Sequence, residues 1–157
     1  MKKNSKIRGF MVVEVLVAVS IITVSILAAM AVAQRSVHVS RQAFHSAQSA
    51  FLLEEGAEVL RVMRDNSWAN ISSLDSGTDY YLNFSGNTWT LSETSSMVGI
   101  FTRTINISSV NRDSNQDISS SGTDDPQAKL VTVIVSWPEG GATVNKTLQF
   151  YIFDIFS

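Results

Sequence analysis

The sequence predicts an α+β chain. One long N-terminal α-helix, transmembrane in its first half and amphipathic in its second, packs on a C-terminal antiparallel β-sheet of about four to five strands. Three observations predict it. Residues 10–33 are apolar except for Glu14, Ser20, Thr23 and Ser25. Residues 34–65 carry no proline or turn cluster, and their apolar positions recur mostly at three- and four-residue steps. From residue 80 onward the apolar period falls to two, with turn clusters between β-branched runs.

Composition narrows the class of function. The chain has 157 residues, which suits a single folded domain, and no cysteine. A disulfide framework, a thiolate nucleophile and a cysteine zinc site are therefore excluded. With 12 basic against 14 acidic residues there is no surplus of cations for a nucleic-acid surface. Charged residues make up 17%, below the roughly 25% of ordinary soluble domains. Ser and Thr number 23 and 11. That mixture is an average over a membrane segment and an exported, hydroxyl-coated remainder.

The first segment, residues 1–9, is short and basic: Lys2, Lys3, Lys6 and Arg8 precede the apolar run. As a helix, residues 10–33 would be about 36 Å long, enough to cross a hydrocarbon core of roughly 30 Å. The excess of cations ahead of the run, against Arg35 and Arg41 after it, predicts a single pass through the cytoplasmic membrane with a cytoplasmic N-terminus. A secretory signal competes, since Ala31-Val32-Ala33 has the A-x-A cleavage pattern. The run is longer than the usual signal core, however. It also carries Glu14, an acidic residue that calls for a cationic partner in an apolar medium.

The stretch Lys6-Ile7-Arg8-Gly9-Phe10-Met11-Val12-Val13-Glu14-Val15-Leu16-Val17-Ala18-Val19 resembles the N-terminal signature of type IV pilins and type II secretion pseudopilins. The likeness rests on a basic leader, Gly-Phe, and Glu at the fifth position after the Gly. It implies a leader peptide removed by prepilin peptidase between Gly9 and Phe10, N-methylation of Phe10, and the long-helix-plus-sheet pilin fold. It further implies that Glu14 of one subunit pairs with the Phe10 amine of a neighbour in a filament. The implied partners are other pilin subunits, prepilin peptidase, an inner-membrane assembly platform and, before assembly, the lipid bilayer. Met11 stands where the family often has Thr. The helix-kinking Pro found late in many family members is absent from Leu27-Ala28-Ala29-Met30-Ala31, and so is the C-terminal cysteine pair.

Residues 34–66 continue the helix. Its apolar positions include Val37, Ala43, Phe44, Ala47, Phe51, Val59, Leu60 and Met63, with Gly56 as a candidate bend and Asn66 as a candidate left-handed cap. Residues 67–157 form the head. Residues 67–79 read as a connector. Strands are expected over residues 80–84 and 88–91 around Ser85-Gly86-Asn87, then over residues 100–110. Two more, over residues 129–137 and 143–153, flank Pro138-Glu139-Gly140-Gly141. Leu130-Val131-Thr132-Val133-Ile134-Val135-Ser136-Trp137 is similar to a strand of PilV-type minor pilins.

The remaining candidates are weaker in pattern. Asp113-Ser114-Asn115-Gln116-Asp117 opens like a calcium loop, and Asp124 falls at the twelfth position, where a carboxylate would close it. Ile118 occupies the place of the usual Gly, so the loop is no EF-hand. Calcium bound by Asp113, Asn115, Asp117 and Asp124 is the one cofactor the sequence suggests, and none is required. His38 and His45 lack partners at zinc-ligand spacing. Glu54, Glu55, Glu58, Arg61, Arg64 and Asp65 make a charged helix segment, with Glu58–Arg61 as an expected pair. Sequons at Asn70, Asn83, Asn106 and Asn145 are expected in so hydroxyl-rich a chain. No phosphate loop, nucleophile–base set or paired carboxylates stand out, so the chain reads as a non-enzyme.

The resulting expectation is a prepilin, the structural subunit of a type IV pilus, which ends in an extracellular filament. The alternatives are a type II secretion or competence pseudopilin in the envelope, and a monomeric anchored or secreted binding module. Removal of residues 1–9 would leave 8 basic against 14 acidic side chains.

Overall fold

A computed structural model describes the backbone of residues 5–156 and the side chains of residues 10–156. The first helix, α1, spans Ser5–Asn66, 62 residues. A single turn, α2, follows at Ala69–Ser72. The strands are β1 Asp79–Ser85, β2 Thr88–Ser92, β3 Met97–Val98, β4 Phe101–Arg112, β5 Ile118–Ser119, β6 Thr123–Glu139 and β7 Ala142–Phe153. They form one antiparallel sheet in the order β2-β1-β4-β6-β7, and the short β3 and β5 also pair with β4. The five long strands match the expected ones. Those the sequence did not separate are the two-residue β3 and β5, and β6 begins at Thr123 rather than Lys129.

By contacts the chain divides into two compact units, Met1–Phe44 and His45–Ser157. In the first, every described residue from 10 to 44 is exposed. The second holds the core: Leu53, Leu60 and Ile71 from the helices against Ile105, Ile107, Val131, Val133, Val135 and Ile152 from the sheet.

Within the second unit the packed stripe of α1 is Ser49, Leu53, Gly56, Ala57 and Leu60, at steps of three and four residues. The expected face is met in part: Val59 and Leu60 are buried and Met63 is half-buried. Phe51, counted among the inward positions, is 71% exposed, and Ala47 is exposed as well. Bulky side chains would hold the helix away from the strands, so the small residues take the contact line. Gly56 is the tightest point. A Cβ there would lie 3.1 Å from Val133 Cγ1 and 3.3 Å from Arg103 Cδ. The helix runs through Gly56 unbroken, so its role is close approach to the sheet.

The helix ends where the sequence placed its stop, but by another device. Among the described residues, only Asn87 and Gln116 have positive φ outside glycine, so Asn66 takes no left-handed cap. Instead Ser67 N–H and the Asn70 amide both donate to the Met63 carbonyl, at 3.2 and 2.9 Å. The hairpin turns follow the sequence. Gly86 and Asn87 adopt φ of 59° and 61°, the two left-handed residues a type I′ turn needs. The β6–β7 turn closes on Gly140-Gly141, with Pro138 and Glu139 still in the strand.

Arg103 pins the packing at its centre. Its side chain is 3% exposed, donates to the Leu52 carbonyl at 3.1 Å and to Glu55 Oε2 at 2.5 Å, and lies 5.5 Å from the Trp89 ring centroid. A buried guanidinium is tolerated here with Nη1 donating twice and its face against an aromatic ring.

Helix propensity alone would favour filling Gly56. Gly56→Val should instead lower stability by about 2 kcal/mol or more, since fully buried Val133 and pinned Arg103 leave no room. Thermal unfolding in detergent, followed by tryptophan fluorescence, measures it; an unchanged or raised midpoint would contradict the close-approach account.

Candidate functional site

The segment expected to act is the apolar half of α1. It has the length and hydropathy to cross a membrane, and none of its most apolar window is buried within the chain. Its large side chains are exposed on all sides of the helix, including Phe10, Val13, Leu16, Ile21 and Leu27. A helix apolar around its whole circumference has no face suited to water.

Its hydroxyls are self-satisfied. Ser20 donates to the Leu16 carbonyl at 2.8 Å, Thr23 to Val19 at 2.8 Å and Ser25 to Ile21 at 2.8 Å. These i−4 bonds remove the polar cost of three of the four polar side chains in the run. Glu14 is the fourth. Among the described residues it has no hydrogen-bond or ion-pair partner. Phe10 is exposed one helical turn before it. The expected leader and the environment of Gly9 fall outside the residues whose side chains are described.

The expected calcium loop joins β4 to β6 and contains β5. Its carboxylates serve the backbone and a guanidinium. Asp113 Oδ1 accepts the amides of Asn115 at 2.8 Å and Asp117 at 3.1 Å, and Asp113 N–H donates to the Asp117 carbonyl at 3.0 Å. Asp124 sits in the ladder opposite Asn111. Among the described residues no group of three or more acidic or histidine side chains converges on a metal position. A cation already occupies the neighbourhood. Arg112 donates to Asp125 Oδ2 at 2.6 Å and to the Gln116 carbonyl at 2.7 Å.

His45, which lacks partners at zinc-ligand spacing, packs against the sheet. Its Nδ1 lies 2.5 Å from Glu139 Oε2, and its ring meets Phe101 edge-on at 6.1 Å. Beside it Lys146 donates to the Ser46 carbonyl at 3.1 Å and to Ser46 Oγ at 2.6 Å. The β6–β7 hairpin thus grips α1 at two consecutive residues. These partners lie about a hundred residues apart in sequence. No local pattern could have found them. Glu58 and Arg61 form the expected pair one turn apart, exposed and therefore weak.

The chain matches no protein-family model, and comparison with curated proteins and with solved structures finds no match to either. What stands is a pilin-like architecture: a long N-terminal apolar helix followed by an antiparallel sheet.

The hydrogen bond from Arg112 lowers the Asp125 pKa below the ordinary carboxylate value. Burial opposes the shift, while the Gln127 amide and the guanidinium charge add to it. The folded state therefore binds fewer protons than the unfolded state around and below the ordinary Asp pKa of about 4. Its stabilisation is present above that pH and is lost as pH falls through the lowered value. Asp125→Asn should cost stability at neutral pH, and its deficit relative to the parent should shrink below about pH 4. Paired thermal midpoints across pH test it; a deficit that stays constant into strong acid would rule the linkage out.

Proposed function

We propose that this chain is a prepilin: a structural, non-catalytic subunit of a type IV pilus, cleaved between Gly9 and Phe10 and assembled through residues 10–33 of α1. The observation that carries this reading is the contrast inside one helix. Residues 45–66 are covered by the chain's own sheet along the Ser49–Leu60 stripe, whereas residues 10–44 are covered by nothing of its own. Before assembly a bilayer supplies that cover; afterwards neighbouring helices do.

Cleavage supplies what Glu14 lacks. Hydrolysis after Gly9 creates a cationic amine on Phe10, at nearly the depth of the Glu14 carboxylate one turn along. Methylation of that amine leaves its charge. In a bundle, the Phe10 ammonium of one subunit pairs with Glu14 of its neighbour. The pair adds little net stability once desolvation is counted, but it penalises every register that leaves the carboxylate unpaired. An inner-membrane platform and prepilin peptidase are the further partners this mechanism requires. The head is then carried to the cell surface. A secretion or competence pseudopilus uses the same steps and differs only in where the filament ends.

Mass spectrometry of the mature N-terminus tests the reading directly. The expected chain starts at an N-methylated Phe10. Retention of Lys2 to Gly9, or a start after Ala33 by signal cleavage, overturns it; the latter would indicate a secreted binding module.

The pairing has its own test. Glu14→Ala should reach the membrane at parental levels, yet its recovery in sheared filaments should fall about tenfold or more, as expected when an uncompensated charge replaces a satisfied pair. Parental recovery of that variant would remove Glu14 from the mechanism.

A further inference from the structure

We propose that Ile155 and Phe156, which follow β7, seat in an apolar cleft at the opposite end of the second unit of another copy, so that successive copies join knob to socket. The inference rests on the filament reading above and names one contact within it. The socket is a cleft of about 540 Å³ between α1 and the turn from β3 to β4. Gln48, Phe51 and Leu52 line it from the helix, and Val98, Ile100 and Phe101 from the turn. His45 completes the lining, with its Nδ1 engaged by Glu139. No Asp, Glu, Lys or Arg takes part, and Phe51, Val98 and Ile100 are all exposed.

The knob is held in place by the backbone. Asp154 N–H donates to the Gln127 carbonyl at 2.9 Å, and Asp154 Oδ1 accepts the Phe156 N–H at 3.0 Å. The one carboxylate of the segment is thereby turned back on its own chain. Ile155 and Phe156 follow from this fixed turn at 56% and 69% exposure. A segment ordered in advance loses less entropy on docking.

Ring contacts single out the same two places. Among the exposed rings of the second unit, Phe84 leans on Trp89 at 5.0 Å, and Tyr151 and Phe153 stack at 6.5 Å. Phe51 and Phe156 have no ring neighbour among the described residues. One lies in the socket and the other on the knob. Both surfaces are uncharged, so no desolvated charge opposes their contact.

Their placement selects a second copy. Val98 pairs with Phe101 at the start of β4, whereas Phe153 pairs with Ala128, level with the far end of that strand. Knob and socket are thus about 25 Å apart along the sheet and cannot meet within one chain. In a polymer whose subunits all point one way, unlike ends meet, and a contact between unlike patches repeats without closing. The contact buries on the order of 500 Å², under the roughly 1,000 Å² of a free-standing interface. It suits copies already joined through α1 rather than a separate partner.

Photocrosslinking in assembled filaments tests it, with Phe156 replaced by benzoylphenylalanine, which keeps an aromatic knob. Irradiation should give a ladder of dimers, trimers and longer products, with the adducts mapping to residues 45–52 or 97–101 of another copy. Phe51→Asp and Phe156→Asp should each lower filament recovery about threefold, and the double variant should lose no more than either alone. In filaments that form at parental yield, adducts elsewhere, no adducts, or products that stop at dimers overturn the socket and leave the filament reading standing. Losses that multiply in the double variant also overturn it. A parental chain that yields no filaments overturns both.

Discussion

The helix carries more apolar surface than its own chain covers, and the rest of the structure is arranged around that excess. Burial of an apolar side chain is favourable by about 1.5–3 kcal/mol, and residues 10–44 forgo all of it within the chain. A sequence that leaves so many Val, Ile and Leu side chains exposed on one helix is balanced only by an environment outside itself. The remainder of the chain must then fold without that apolar content. It does so with a modest core of Ile, Val and Leu, closed by polar contacts where the apolar stripe gives out.

Those polar contacts have a common design. Near the centre of the helix–sheet packing the helix offers Gly56 and Ala57 between Leu53 and Leu60, so the strands come close enough for Arg103 to reach a carbonyl in mid-helix. At the N-terminal end of the packed stripe, Lys146 and Glu139 reach Ser46 and His45. Each contact joins α1 to a strand far along the chain. No disulfide is present to hold β7. Its twelve-residue ladder with β6 and the Lys146 grip do that work.

Much of this was legible in the sequence, and what was not has physical reasons. Helix extent and both hairpins were readable because they depend on local chemistry: an unbroken 3.6-residue period, and Gly-Asn or Gly-Gly between alternating runs. The inward face of the helix was legible only in part: Val59 and Leu60 are buried as expected. Phe51 fits the period as well as Leu53 does, and only the shape of the opposing sheet decides that Ser49, Gly56 and Ala57 take the contact line. The spacing of Asp113, Asn115, Asp117 and Asp124 was equally ambiguous. Alternating oxygens suit a cation and suit an Asx turn, and the turn claims Asp113 Oδ1 twice.

The membrane-length segment itself separates residues that need an external partner from those that do not. Ser20, Thr23 and Ser25 return their protons to carbonyls of the preceding turn, so they are at ease in lipid or among helices alike. Phe, Val, Ile and Leu are satisfied by any apolar neighbour and distinguish poorly between one helix register and another. Glu14 differs from both groups. Its carboxylate cannot be satisfied by its own backbone, since an ionised carboxylate only accepts and helix carbonyls do not donate. Sliding one such helix along another by a turn would barely change the apolar contact, yet it would move Glu14 away from any cation placed to meet it. In a segment where every other side chain is indifferent to register, one acid would be sufficient to define a register if such helices bundled.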